Sequence, residues 1–250
     1  MRKCIGAFVI FLFTALGSSA QDNWGGGVDD EVLHFGFTFQ YVNSEFKVLK
    51  APEWRTPFSA LYPQLQHDPS ETILYDTLYS VSSSGSPGFG LGFVSNLRLG
   101  NNTDLRFTPT LVFADRLAYY EYRYTGQVLE KKVQSSVIDL PLGIKIKSDR
   151  RKNFRAYLLA GAKYSMDIIS KKKLDDENNI FSEKLLKNKK NYLSYEAGIG
   201  FDLYFEYFKL SPEIKFSQSF NDVLKHDVTP FASPIDKLYL RNIQFSLYFE

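Results

Sequence analysis

Between Tyr192 and Phe216 the chain alternates between two kinds of residue. Leu193, Tyr195, Ala197, Ile199, Phe201, Leu203 and Phe205 are apolar, while Ser194, Glu196, Gly198, Gly200, Asp202, Tyr204 and Glu206 are polar, small or hydroxylated. A period of two places these sets on opposite faces of a strand. After a reversal near Glu206-Tyr207 the pattern resumes, with Phe208, Leu210, Pro212, Ile214 and Phe216 against Lys209, Ser211, Glu213 and Lys215. The same alternation recurs over 33–42, 88–99, 104–117, 137–147, 155–168 and 242–249, which predicts eight strands in all. Apolar and ionised faces of this kind suit two architectures. In a soluble sandwich the apolar face would be the core, and in a membrane barrel it would meet lipid while the charges pack inside.

The connections choose between them. Long segments at 43–87, 170–191 and 219–236 and a hairpin extension near 118–132 alternate with short turns at 100–103, 148–153 and 206–207. With the first strand leaving the periplasm, every long connection falls outside and every short one falls in the periplasm, as in outer-membrane barrels of even strand number. The expected fold is therefore all-β, an eight-stranded antiparallel transmembrane barrel over 33–250. The 43–87 segment reads as a folded surface loop whose Trp54, Phe58 and Leu61 could pack locally. The tyrosines at 119, 120, 122 and 124 suit a lipid–water boundary. Pro109, Pro141 and Pro212 fall inside strands of a closed ladder, so bulges or strand ends are expected there.

Residues 1–20 carry Arg2 and Lys3, an apolar run from Ile5 to Leu16, and small residues ending at Ala20, which reads as a cleaved secretory signal peptide. Residues 21–32, with Gly25-Gly26-Gly27, read as a flexible leader. Cys4, the single cysteine, lies ahead of the apolar run and leaves with the signal, so no disulfide is expected. Loss of Arg2 and Lys3 leaves 28 basic against 28 acidic residues, a balance without the bulk positive field that nucleic acid requires.

The inner faces supply Arg98, Arg106, Asp139, Lys145, Arg155, Lys163, Asp167, Glu196, Asp202, Glu206, Glu213 and Lys215. At eight strands the lumen is filled by side chains, so these are expected to pair as an interior charge network instead of lining a pore. Tyr204, Phe205, Tyr207 and Phe208 flank the tightest turn and are expected to form a periplasmic aromatic girdle.

Several blocks carry a family likeness: Leu33 to Phe37 (LHFGF), Leu105-Arg106-Phe107 with Pro109, Leu140-Pro141-Leu142 through Ser148 with Arg150, Tyr157 to Tyr164 (YLLAGAKY), Glu196 to Phe201 (EAGIGF), Tyr204 to Phe216 and Leu247 to Glu250 (LYFE). Over nearly all of the mature chain apart from the loops, these resemble the PorT/SprT family. The resemblance implies an integral outer-membrane component of the type IX secretion system, which exports proteins bearing a C-terminal sorting domain and supports gliding motility in gliding bacteria. Its implied partners are outer-membrane lipid and other type IX secretion subunits.

Two other functions are open on the residues alone. A small structural or adhesive barrel would bind through loops 43–87 and 170–191. An enzyme such as a lipid A deacylase or protease would need a base, and His34, His67 and His226 stand at no diagnostic spacing from a nucleophile or carboxylate. No catalytic residue, cofactor, metal site or small-molecule substrate is expected.

Overall fold

In the computed structural model, residues 31–66, 68–168, 176 and 179–250 are described. The signal peptide, most of the leader, His67 and the centre of the lysine-rich loop lie outside that set. The elements are β1 (Leu33–Lys50), α1 (Phe58–Leu61), β2 (Leu78–Ser84), β3 (Ser86–Arg98), β4 (Thr103–Phe107), β5 (Thr110–Ala114), β6 (Arg116–Tyr122), β7 (Val128–Val133), β8 (Ser136–Lys147), β9 (Phe154–Asp167), β10 (Asn191–Tyr204), β11 (Lys209–Ser219) and β12 (Ile235–Phe249). None of the described helices is long and apolar enough to cross a membrane.

The main sheet runs β1-β12-β11-β10-β9-β8-(β4, β5)-β3, and β3 pairs again with β1. Because β4 and β5 are two halves of one position, this is a closed ring of eight antiparallel strands. Closure joins the two ends of the chain, with Phe37 opposite Phe249 and Phe46 opposite Leu240. A closed ladder leaves no open edge, the only way a sheet can satisfy its backbone inside hydrocarbon.

The prolines interrupt the ladder on one side each. Thr108-Pro109 separates β4 from β5, and the pairing of β8 with them skips from Asp139 to Leu142. Pro141 still sits in register with Lys163 on β9. Pro212 pairs with Leu247 on β12, whereas the β10–β11 register skips from Gly200–Glu213 to Leu203–Leu210. Each residue without an N–H is thus accommodated by a short local gap.

The strands change character along their length. In the lower part of β1, Phe35, Phe37, Phe39 and Tyr41 are exposed outward while Thr38 and Gln40 are buried inward. Above Val42 the outward positions become Asn43, Glu45 and Lys47, and Phe46 joins a buried apolar cluster. β12 repeats this, with Ile243 and Phe245 outward over Gln244 and Ser246, then Leu238 and Leu240 buried inside. The barrel is apolar outside and polar inside at its short-turn end, and the reverse at its long-loop end.

That second half is capped by a folded unit. β2, β6 and β7 form a separate antiparallel sheet, joined by α1 and two short 3-10 turns. Its core includes Phe58, Leu74, Val81, Tyr120, Leu224, Phe231 and Leu238, drawn from every long connection. The 43–87 segment is therefore structured, with Phe58 buried and Trp54 packed against the cluster. The tyrosines were expected at a lipid boundary, and the structure corrects this for two of them: Tyr120 and Tyr122 point into the cap core. They alternate about a sheet that rises clear of the barrel wall, so their inward face meets protein.

The inversion generates a test on one strand. Phe39→Arg should destabilise the barrel by about 2–4 kcal/mol in lipid, because it places a charge in hydrocarbon. Leu49→Arg, above the inversion, should stay within about 0.5 kcal/mol, as at an ordinary wet surface. Urea unfolding in lipid vesicles measures both.

Candidate functional site

The interior of the lower barrel is packed with ion pairs. Arg106 on β4 donates from Nη1 to Glu213 Oε2 at 3.0 Å and from Nε to Asn96 Oδ1 at 2.8 Å, and its Nη2 lies 3.5 Å from Glu250 Oε1. Its guanidinium sits over the rings of Tyr248 and Tyr157, at 4.5 and 5.2 Å. Lys145 on β8 reaches both oxygens of Asp202 at 2.7 and 2.8 Å, and Ser211 donates to the same carboxylate at 2.6 Å. Lys209 pairs with Glu250. Lys215 spans Glu196 and Glu213 at 3.5 and 3.8 Å. Lys163 meets Asp139 at 2.8 Å, and Lys147 meets Asp104 at 2.7 Å.

These side chains are nearly devoid of solvent exposure, and six cations face six carboxylates. Desolvating such groups is costly unless each finds a partner, and here each does. Small residues make the room: Tyr157 stands opposite Gly200 on β10, where an added Cβ would strike its ring, so the phenol can lean across to Arg106 and Lys145.

Of the residues expected in the interior, Arg106, Asp139, Lys145, Lys163, Glu196, Asp202, Glu213 and Lys215 are buried in the lumen. Arg98 is half-buried at the short-turn rim and donates to Asn101 at 3.2 Å. Arg155 is half-buried near the same rim, in register with Asp202. Asp167, also half-buried, lies at the opposite end and accepts from Ser135 at 2.7 Å. Glu206 is not interior. It sits in the exposed β10–β11 turn, because β10 ends at Tyr204 and the alternation stops there.

Tyr204 is likewise corrected. It points inward, buried beneath the Arg150 guanidinium at 3.8 Å, because even-numbered residues of β10 face the lumen. Phe205, Tyr207 and Phe208 are exposed. Phe205 stacks on Phe208 at 4.9 Å, Phe208 approaches Phe249 at 6.3 Å, and Phe249 stacks on Phe37 at 5.0 Å. This row of rings runs from the β10–β11 turn to β12 and β1.

Asp104, Lys147, Lys209 and Glu250 join the network although the sequence reading left them out. Strand parity could have found them, since each continues the inward face of Arg106, Lys145, Ser211 or Tyr248. Arg116 was also missed. It is buried at the inversion level and donates to Ser44 Oγ at 3.3 Å, Ser135 Oγ at 3.0 Å and Tyr192 Oη at 3.3 Å. Ser44 donates to Asn242 at 2.7 Å beside it. These polar groups close the upper end of the lumen directly beneath the apolar cap.

The cap is held by carboxylates that accept backbone N–H groups. Asp76 accepts from Thr77 N at 2.6 Å, Thr125 N at 2.9 Å, Tyr124 N at 3.1 Å and Thr125 Oγ1 at 2.8 Å. Asp222 ties Leu224 N and Leu238 N at 3.0 and 2.8 Å and accepts from His226 at 2.8 Å. Burial pushes the Asp76 carboxyl up, but these hydrogen bonds outweigh it and hold the group below the usual carboxylate range. The cavity between Trp54, Phe58, Asp76 and Tyr122 is only about 20 Å³, room for one water. Among the described residues, no three His, Cys, Asp or Glu side chains converge to hold a metal.

A family model described as "Outer membrane protein beta-barrel domain" matches residues 31–225. No curated protein matches the chain significantly. Solved structures similar to it include OprG from Pseudomonas aeruginosa, with 11% identity over 92% of this chain and 96% of that one, at a TM-score of 0.44. Neisserial surface protein A shares 7% identity over 87% and 98%, at 0.41. Ail of Yersinia pestis, in complex with the heparin analogue sucrose octasulfate, shares 10% over 86% and 96%, at 0.34.

Two outcomes test this arrangement. Asp202→Asn strands the Lys145 charge and should cost about 3–5 kcal/mol, whereas Lys145→Met with Asp202→Leu should cost far less; unfolding in detergent with urea reports both. The depressed carboxyl of Asp76 contributes stability that is fully present above the unfolded value of about 4 and is lost as pH falls through the lower folded one. Amide protection at 122–127, taken relative to the intrinsic exchange rate, should therefore stay high at pH 5 and fall under stronger acid, and Asp76→Asn should abolish that dependence.

Proposed function

Because the chain belongs to the outer membrane protein beta-barrel domain family, we propose that it is a non-enzymatic component of type IX protein secretion, working through its surfaces. The protein is integral to the outer membrane, with its short turns on the periplasmic side and its cap outside. The observation that carries the reading is the filled lumen. Paired charges occupy the lower half, Arg116 and its partners close the upper end, and a packed apolar core lies above them. A barrel without a passage acts as a fixed post to which other subunits attach.

The assignment to type IX export rests on the blocks similar to PorT/SprT proteins, including LHFGF at 33–37, YLLAGAKY at 157–164 and EAGIGF at 196–201. Its partners would be other secretion subunits, met through the periplasmic turns, the cap or the lipid face, and in a gliding host the role would extend to motility.

A second reading draws on the cap. Tyr79 and Tyr124 are exposed on a rigid extracellular unit, a form suited to an adhesive barrel with no part in secretion.

Deletion of the gene separates the two. Loss of sorting-domain cargo from the medium, restored by the intact chain, is expected for the export role; normal export overturns it. Tyr79→Ala with Tyr124→Ala, both exposed, should leave export intact while abolishing attachment if the cap is an adhesin. In planar bilayers the purified barrel should show no steady single-channel current.

A further inference from the structure

The lipid face is not uniform. Row by row across β8, β9, β10 and β11, the outward residues are Ile146, Leu158, Ile199 and Ile214, and one row farther from the periplasm Ile144, Ala160, Ala197 and Phe216. The two alanines interrupt a wall of branched and aromatic side chains. They leave a depression of about 480 Å³, walled by Ile144, Leu158, Ile199 and Phe216. Its lining is almost wholly apolar and opens to the hydrocarbon.

Beneath this depression lies the β8–β9 turn, Ser148 to Asn153, with three cations and one anion. Asp149 is engaged by Asn102 at 3.2 Å. Arg150 donates to Lys152 O at 2.7 Å and lies over Tyr204. Arg151 and Lys152 are exposed at the tip. The turn is a two-residue hairpin in which Arg151 and Phe154 exchange both backbone hydrogen bonds, at 2.9 and 3.1 Å. Lys152, its first central residue, has φ +56°. Turns with positive φ at that position favour glycine, so a lysine there keeps a strained backbone and adds a charge at the membrane surface.

The spacing joins the two features. From Phe154 to Ala160 is about 20 Å of extended chain, or about 14 Å along the membrane normal at a tilt of about 45°. That is roughly half the thickness of the hydrocarbon layer, of about 25 Å. A lipid of the inner leaflet with its phosphate at the turn would therefore bring the end of its chain level with the depression.

We propose that this face binds one anionic glycerophospholipid of the periplasmic leaflet, its phosphate held by Arg151 and Lys152 and the end of one acyl chain seated over Ala160 and Ala197. The occupant is lipid because the groove faces hydrocarbon and the exposed tip of the β8–β9 turn beneath it, Arg151 and Lys152, is cationic. The inference depends on the barrel and its orientation and is independent of any role in secretion.

The test uses the full-length barrel purified in detergent, with phosphatidylglycerol and phosphatidylcholine titrated in parallel and bound lipid counted by native mass spectrometry. Phosphatidylglycerol should be retained preferentially. Arg151→Gln and Lys152→Gln should each weaken its retention about five-fold, corresponding to ~1 kcal/mol per cation at a charged membrane surface, and leave phosphatidylcholine unchanged. Ala160→Leu with Ala197→Leu should fill the seat and reduce both lipids. Lys152→Gly relaxes the turn, so it should raise the unfolding temperature and still lower phosphatidylglycerol binding, a combination that a purely structural turn would not produce. Equal retention of the two lipids by the unaltered protein overturns the proposal. So does phosphatidylglycerol binding that is indifferent to the turn variants. Photocrosslinking from position 160 to a protein instead of a lipid in cells would also overturn it.

Discussion

The structure depends on a reversal of solvent partway along its strands. Below Ser44 and Asn242 the wall faces hydrocarbon, and any ionised group must turn inward; above them the wall faces water, and the apolar groups turn inward. One continuous ladder of hydrogen bonds serves both halves, because backbone pairing is indifferent to what the side chains meet. Arg116 sits where the regimes meet, bonded to three hydroxyl groups from separate parts of the chain. The reversal explains why β1, at 18 residues, is far longer than the span itself requires, which is about 9–11 residues.

The lumen network follows from the same constraint. In a soluble protein, buried ion pairs can often be replaced by apolar groups without loss. Here the outer face is already committed to lipid, and polar inner residues keep the two faces distinguishable, so that a one-residue slip would expose charge to hydrocarbon. Arg106 joins β4 to β11 and, through Glu250, to the last residue of the chain. It thereby crosses the ring at the short-turn end, while the Lys145–Asp202 pair links β8 to β10 and the Lys209–Glu250 pair fastens the neighbouring β11 and β12. The paired charges thus replace the apolar core that a barrel of this kind cannot have at this level.

Much of this was legible in the chain because alternation at period two is a strong signal when both faces are extreme. The eight ring strands and the sorting of short and long connections follow from the alternation over 33–42, 88–99, 104–117, 137–147, 155–168, 192–216 and 242–249. The cap was less legible. Its core takes Phe58, Tyr120, Leu186 and Phe231 from four connections far apart in sequence, and no local pattern marks such residues as neighbours. Tyr120 and Tyr122 carry the spacing of a lipid-boundary strand, and only tertiary placement reveals that they face Phe231 and its neighbours. Tyr204 and Glu206 show the limit at strand ends: parity assigns Tyr204 inward, and the turn releases Glu206 to water.

The cap core has an implication for assembly. Phe46 and Leu240, opposite each other where the first and last strands meet, both belong to it. The outer unit consequently lacks part of its interior until the cylinder has been sealed at that junction. The aromatic segments of the long connections thus find a complete template only on the finished wall. Maturation of the head is in this way made conditional on completed insertion, and surface epitopes formed by the cap would report a correctly closed barrel.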